Sequence, residues 1–317
     1  MTQALAAYET ALRTIALERE DVVVMTAENR AAIRSLPAAL GPRFIDVGIC
    51  EQSLVGAAAG LALRGRRPVV HALAAFLSMR AFEFIRTDVG IRGLPVKLVG
   101  YLPGVLSEAN GPTHQALEDV ALMRGIPGMR VFCPADASEL KAALPGIVAS
   151  PGPCYVRFNA APAAVLHTER YEAGRAEVLS DGAGVALLTC GFLLREAVVA
   201  RTILEARGVP VRLVNLRTLA PVDEAAVLES ARRTELLVTL EDHFVTGGLF
   251  SVVSEILARA GCPRRVVPLG FAGRWFRPAL LQELLEREAL TGARVAERIL
   301  DALLEAAPRR EEAMTHA

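Results

Sequence analysis

Glu51 is a carboxylate at the junction of two segments of different character. In "FIDVGICEQSLVGAAAGLALRG", residues 44–65, a strand-like run ends at Gly48 and an Ala-rich, helix-like run starts near Ser53. Residues 49–59 offer Glu51 no cationic partner within helical reach. One interpretation is an acid in the first turn of a helix, where it interacts favourably with the dipole. The other is a functional acid that shares a proton with a bound base.

A second candidate is His114, in "SEANGPTHQALEDVALMRGIPG", residues 107–128. The Asn-Gly-Pro-Thr stretch predicts a turn, after which His114 should open a helix that carries Glu118 and Asp119. A histidine at a helix start can be a capping or core residue. At the mouth of a crevice it is instead a proton donor or a binder of hydroxyl groups.

Short β-branched runs alternate with Ala/Leu-rich helical runs along the chain, which predicts parallel strands joined by crossover helices. In open sheets of this kind, ligands bind beyond the carboxyl ends of the strands. Glu51, Phe76, the 102–114 loop and Arg157 all follow strand-like segments and should converge on one crevice. Neither G-x-G-x-x-G nor G-x-x-x-x-G-K-[ST] occurs, so the chain lacks a recognisable dinucleotide or triphosphate cradle.

The alternation is interrupted once, which predicts two doubly wound α/β domains. The interruption, 161–177, contains proline and mixed polarity and is predicted to be a linker. We expect the first domain at 1–160, the second at 178–305, and a tail at 306–317. A length of 317 residues suits about two domains.

Composition excludes several function classes. Lys+Arg and Asp+Glu are both 35, and this zero net charge argues against general nucleic-acid binding and favours association with another chain. The five cysteines show no C-x-x-C spacing, which supports neither a disulfide framework nor a zinc site. With no signal-like or membrane-spanning segment, we expect a cytoplasmic protein.

Three stretches together resemble a known family. They are "RFIDVGICEQSLVGAAAGLALRGRRPVV", "GPTHQALEDVALMRGIPGMRVFCPADASE" and "PCYVRF", which are similar to the pyrimidine-binding domain of transketolases. The similarity is greatest to the separate C-terminal subunits of two-chain transketolases. "LEDHFVTGGLFSVVSEIL", residues 240–257, resembles the C-terminal domain of the same family.

The resemblance implies thiamine diphosphate as cofactor and gives Glu51 a role. In the family, the corresponding Glu hydrogen-bonds N1′ of the aminopyrimidine and favours the tautomer that deprotonates the thiazolium ring. Phe76 matches an aromatic residue that stacks on the pyrimidine, although by itself it reads as an ordinary core residue. Ile49 and Leu73 correspond to positions beside the cofactor.

The same resemblance implies substrate contacts. His114 matches a histidine that binds a hydroxyl group of the donor sugar. Asn110 stands where an aspartate usually binds another hydroxyl group of the donor. Arg157 matches an arginine that helps to hold a substrate phosphate, although by itself it reads as a surface arginine on a strand. The implied activity is transfer of a two-carbon ketol unit from a ketose or ketose phosphate to an aldehyde.

Departures from the family pattern concern the substrate. Leu73 replaces an aromatic residue, and Asn110 is neutral where an acid is usual. Leu102 and Leu5 stand near positions where a histidine and an arginine normally bind phosphate. These changes imply a sugar that is unphosphorylated or unusual, or a partner chain that supplies the missing charge.

The family also needs a diphosphate-binding domain with a G-D-G…N motif, and this sequence contains none. The resemblance therefore implies a partner subunit that carries this motif and holds Mg²⁺ or Ca²⁺, in an α2β2 heterotetramer. Two alternatives stay open: the β-chain of a 2-oxoacid dehydrogenase-like enzyme, and a catalytically inactive regulatory paralogue. Deoxyxylulose-phosphate synthase shares "THQ" but normally carries all domains on one chain.

Overall fold

The computed structural model describes residues 2–168 and 170–306. Almost all of the predicted tail, 306–317, lies outside the described residues. Among the helices that are described, none combines the length and the apolar character needed to cross a membrane.

Twelve strands of the described residues form two sheets. They are β1 (Val22–Thr26), β2 (Phe44–Asp46), β3 (Arg67–Leu73), β4 (Lys97–Tyr101), β5 (Arg130–Phe132), β6 (Cys154–Phe158), β7 (Glu177–Asp181), β8 (Val185–Thr189), β9 (Val211–Asn215), β10 (Thr218–Ala220), β11 (Leu236–Phe244) and β12 (Val266–Phe271). The first sheet has the order β10-β5-β6-β4-β3-β1-β2, and the second β12-β11-β8-β9-β7. All pairs are parallel except β10 with β5 and β7 with β9. The predicted fold class, two α/β domains, is confirmed.

Helices connect the strands and cover the sheets. The α-helices are α1 (Thr2–Glu18), α2 (Leu36–Leu40), α3 (Glu51–Leu63), α4 (Phe82–Phe84), α5 (Asp119–Arg124), α6 (Ala137–Ala149), α7 (Leu194–Ala206), α8 (Glu224–Arg233), α9 (Leu249–Arg259), α10 (Leu281–Arg287) and α11 (Gly292–Ala306). Short 3₁₀ turns span Gly41–Arg43, Glu108–Asn110 and Gly191–Leu193. Two π-helical stretches, Phe76–Arg80 and Ile85–Gly90, flank α4.

Strand β1 shows why these sequences form a three-layer structure. All five of its residues are buried, as expected for a parallel strand covered on both faces. Val22 and Val24 pack into the core beneath α1 and α6, whereas Val23 and Met25 pack into the core beneath α3. The second of these cores continues into the other sheet through residues such as Leu188, so apolar packing joins the two sheets.

Strand β10 was not predicted, and it departs from a simple two-part division of the chain. Although it follows β9 of the second sheet, it pairs with β5 of the first sheet, with Thr218 opposite Phe132. The backbone N–H of Cys133 also donates to the carbonyl of Arg217 at 2.8 Å. The two sheets are therefore not built from two separate halves of the sequence.

A buried polar cluster joins the segment between β6 and β7 to both sheets. His167 contacts Asp136 through Nε2 and Glu177 through Nδ1, each at 2.7 Å. Arg217 lies beside them, 2.6 Å from Glu139 and 2.7 Å from Glu177. Burial alone would lower the pKa of His167, but the hydrogen bonds to Asp136 and Glu177 outweigh it and raise the pKa to about 10. His167 is thus a charged, structural residue at neutral pH.

Replacing His167 by glutamine should make stability less dependent on pH. The folded-state pKa, about 10, exceeds the ordinary value of 6.5, so the proton stabilises the folded state fully below pH 6.5. That contribution is lost as pH rises toward 10. We expect His167→Gln to lower the free energy of unfolding by about 1–3 kcal/mol at pH 7, with the deficit shrinking as pH approaches 10.

Denaturant unfolding at several pH values measures this deficit. Arg259→Gln is the control, because Arg259 pairs with Glu224 on the surface, where both side chains are more than half exposed. A His167→Gln deficit that stays constant from pH 6.5 to 10 would contradict the assignment.

Candidate active site

Glu51 begins α3 and is only 2% exposed. The chain leaves β2, turns at Gly48, whose φ of 74° suits glycine, and enters the helix directly. Helix α3 itself gives Glu51 no cationic partner, as the sequence indicates, but a distant residue does: Nη1 of Arg80 donates to Oε2 of Glu51 at 2.8 Å. Arg80 comes from the π-helical stretch after β3 and so could not be found from helical spacing within α3.

Phe76 and His114 lie close to this ion pair. The Cζ atom of Arg80 is 4.3 Å from the centroid of the Phe76 ring, which places the guanidinium over the ring face. The rings of Phe76 and His114 meet edge to face, with centroids 5.0 Å apart and planes at 67°. The structure therefore brings Glu51, Phe76 and His114 into one connected group, linked through Arg80.

A cavity of about 270 Å³ opens beside this group. All four residues predicted to bind the cofactor line it: Ile49, Glu51, Leu73 and Phe76. The other lining residues, which we did not predict, are Ala27, Glu28, Asn29, Arg30, Ala31 and Tyr101. Most of them directly follow the carboxyl end of β1, so the strand-end argument applied to Phe76 would also have found them.

His114 is not at a helix start, which corrects the expectation. It lies in a turn, half-buried, with Nδ1 2.9 Å from Oγ1 of Thr113, and helix α5 begins only at Asp119. An antiparallel bridge between Gly104 and Ala116 closes the loop that contains the 3₁₀ turn and His114. The loop is therefore pinned at its base, and His114 projects from it toward Phe76.

Asn110 is exposed at the end of a 3₁₀ turn and does not line the cavity. Its side-chain amide donates to the carbonyl and the hydroxyl of Ser107, at 3.0 and 3.1 Å. In this arrangement the side-chain NH₂ group of Asn110 stabilises its own loop.

Arg157 is not at the cavity, and the phosphate-binding role implied by the resemblance does not fit its surroundings. It is 2% exposed, with Nε donating to Asp119 at 2.9 Å and Nη1 donating to Asp242 at 2.6 Å. Burial would lower its pKa, but these carboxylates raise the pKa well above its ordinary value. Arg157 thus joins β6 and α5 to β11 of the other sheet. The interpretation as a surface arginine is also wrong.

The cavity suits the aminopyrimidine end of thiamine diphosphate. Its lining includes the buried Glu51 carboxylate, which can hydrogen-bond a ring nitrogen once Arg80 releases it, the Phe76 ring for stacking, and aliphatic walls from Ile49 and Leu73. The one nearby arginine that lines it, Arg30, is already paired with Asp46 at 2.6 Å. The lining residues therefore match a flat heteroaromatic ring better than a diphosphate.

Glu139, His167 and Glu177 have the residue types of a metal site, with ligand atoms within 4.8 Å of one another. Arg217 already contacts both glutamates, and His167 is protonated at neutral pH. The cluster therefore carries its own cations and acts as a structural ion network.

Replacing Arg157 by glutamine should destabilise the protein strongly. The change leaves Asp119 and Asp242 buried without their cation, which typically costs about 3–5 kcal/mol in free energy of unfolding. Chemical denaturation measures the loss. Arg124→Gln is the matched control, since Arg124 pairs with Glu255 on the partly exposed edge of the same junction, and should cost less than about 1 kcal/mol. Equal losses for both variants would contradict the assignment.

Known families match both parts of the chain. Residues 2–161 match the family model "Transketolase, pyrimidine binding domain", and residues 174–295 match "Transketolase, C-terminal domain". The 6-deoxy-6-sulfo-D-fructose transketolase subunit SqwH of Clostridium sp. (strain MSTE9) is 37% identical over 91% of this chain and 90% of its own length.

Two further similarities extend this finding. The 1-deoxy-D-xylulose-5-phosphate synthase of Dictyoglomus thermophilum is 35% identical over 82% of this chain, which spans only 43% of that enzyme. A solved chain described as a split-gene transketolase in an inactive beta4 tetramer superposes with a TM-score of 0.84 at 35% identity, covering 95% of this chain and 98% of its own.

Proposed function

The chain belongs to the transketolase family, and from this we propose that it is the C-terminal subunit of a thiamine-diphosphate-dependent transketolase. It would transfer a two-carbon ketol unit from a ketose to an aldehyde acceptor. Support comes from a relative named as a transketolase subunit and from a solved split-gene transketolase, both of about this chain's length.

The observation that carries the proposal is the group formed by Glu51, Phe76 and His114 beside one cavity. When bound, thiamine diphosphate supplies the carbon nucleophile that accepts the ketol unit. Glu51 would hold a proton at N1′ of the pyrimidine, and Phe76 would fix the plane of that ring. His114, at the far edge of Phe76, would hydrogen-bond a donor hydroxyl.

A partner subunit would complete the site. The sequence has no G-D-G…N motif, and the cavity offers no obvious cradle for a diphosphate. We propose that an N-terminal transketolase subunit supplies both this cradle and Mg²⁺ or Ca²⁺, in an α2β2 heterotetramer. The inactive beta4 form of the split-gene relative is in keeping with such a dependence. A cytoplasmic location, expected from the sequence, is part of the proposal.

The donor would be a sugar without an ordinary phosphate, or the partner would supply the phosphate contacts. Leu102 and Leu5 stand near two expected phosphate-binding positions, and Arg157 is committed to Asp119 and Asp242. The Clostridium relative is named for 6-deoxy-6-sulfo-D-fructose, a sulfonated ketose, and this name supports a donor without an ordinary phosphate. Comparing kcat/KM for phosphorylated, sulfonated and neutral ketoses would identify the donor class.

A second candidate is a reaction that uses a 2-oxo acid as donor. The similarity to deoxyxylulose-phosphate synthase favours it, although the chain spans less than half of that enzyme. A 2-oxoacid dehydrogenase-like β-chain would use the same donor class. Turnover of pyruvate, with no turnover of any ketose, would favour this candidate.

Replacing Glu51 by glutamine tests the proposed acid. Glutamine keeps the shape of the side chain but cannot give up or receive the proton, so turnover of the complex with its partner should fall at least about 100-fold. Steady-state kinetics measures the loss, and gel filtration checks that the complex still assembles. Unchanged turnover would mean that another residue provides the acid.

His114→Ala should act mainly on the donor. Losing one hydrogen bond to a substrate hydroxyl should lower kcat/KM for the donor about 10- to 100-fold, while KM for the acceptor aldehyde stays similar. Initial rates with each substrate varied in turn separate the two effects. Donor kinetics like those of the unmodified enzyme would remove His114 from the site.

A further inference from the structure

We infer that Arg80 holds the Glu51 contact proposed for the pyrimidine when this chain is alone, and that it must release Glu51 before the cofactor binds. The inference rests on the proposed function and extends it to a residue that neither the sequence motifs nor the family matches point to. It assigns Arg80 as an internal competitor for Glu51 and Phe76.

The first argument is the ion pair with Glu51. The Glu51 side chain is only 3% exposed, and a carboxylate buried to this degree needs a hydrogen-bond donor or a counter-charge. Nη1 of Arg80 provides both at 2.8 Å. A pyrimidine nitrogen that donates to Glu51 would make the same kind of contact, so the two donors compete for one carboxylate.

The second argument is the contact with Phe76. The guanidinium of Arg80 lies over the ring, with Cζ 4.3 Å from its centroid. A guanidinium is a flat, delocalised cation with its N–H donors in the plane. A protonated aminopyrimidine has the same features. Arg80 therefore combines the two contacts proposed for the cofactor ring, the hydrogen bond to Glu51 and the stacking on Phe76.

The third argument is that Arg80 can move at low cost. Its side chain is 41% exposed, whereas Glu51 begins α3 and its side chain is only 3% exposed, and Phe76 begins the π-helical stretch that Arg80 ends. Arg80 ends a π-helical stretch, and its long side chain can rotate into water without moving the backbone. Once an arriving ring donates to Glu51, the carboxylate no longer needs Arg80.

Binding of a pyrimidine probe to the full-length chain, without any partner, tests the inference. The probe is thiamine, which has the aminopyrimidine but no diphosphate, and isothermal titration calorimetry or equilibrium dialysis gives its Kd. We expect Arg80→Ala to bind thiamine about tenfold more tightly than the unmodified chain, since the competing charged hydrogen bond is gone.

Three further variants sharpen the test. Arg86→Ala is the matched control, because it removes one exposed positive charge from the adjacent π-helical stretch, and its Kd should match that of the unmodified chain within about twofold. Arg80→Gln keeps a neutral hydrogen-bond donor for Glu51. It replaces Arg80→Ala in the binding test if thermal melting shows that Arg80→Ala does not fold. The double variant Arg80→Ala/Glu51→Gln should not show the tighter thiamine binding expected of Arg80→Ala alone.

The outcomes separate this inference from the proposed function. Equal or weaker thiamine binding by Arg80→Ala and Arg80→Gln would overturn the role of Arg80. If Glu51→Gln then still weakened binding, the proposed cofactor site would stand. If the double variant kept the gain in thiamine affinity, thiamine would bind away from Glu51. That result would contradict both the inference about Arg80 and the proposed cofactor site. Absence of thiamine binding in every variant would also overturn the inference.

Discussion

A buried carboxylate that must always have a donor is the constraint on which the site depends. Glu51 is placed by a short sequence of steps: β2 ends, Gly48 reverses the chain with a positive φ, and α3 starts at once. The segment that follows β3 shares an apolar core with α3, which includes Leu54 and Val55 of the helix and Leu77 and Ala81 of the segment. This packing places the segment's Arg80 beside Glu51.

The rest of the molecule holds the parts of the site in fixed relation. Arg157 ties Asp119, at the base of the His114 loop, to Asp242 of the second sheet. The backbone of the same loop passes so near Asp242 that a Cβ atom on Gly104 would lie 1.8 Å from a carboxylate oxygen, which leaves room only for glycine. Such buried ion pairs contribute little net stability against apolar packing, but breaking them is costly. We infer that they fix the orientation of the two sheets and therefore the place of His114.

Local patterns in the sequence predicted most of the fold and the centre of the site. The alternation of apolar runs identified the principal strands, and the strand-end rule grouped Glu51 with Phe76. The contacts that the sequence did not predict join residues far apart in the chain. Arg80 is 29 positions from Glu51, Asp242 is 85 from Arg157, and neither separation has a periodicity that could reveal it. Likewise, β10 pairs with a distant strand over only three residues, too few to show a pattern.

The most direct test of the account is the composition of the complex that this chain forms in its native cells. The chain would be purified under gentle conditions and its assembly weighed by native mass spectrometry, with thiamine diphosphate measured in the same sample. The account predicts equal numbers of this chain and of a partner that carries a G-D-G…N motif, with cofactor present only when both are. An assembly of this chain alone that holds thiamine diphosphate, or an active enzyme without such a partner, would contradict it.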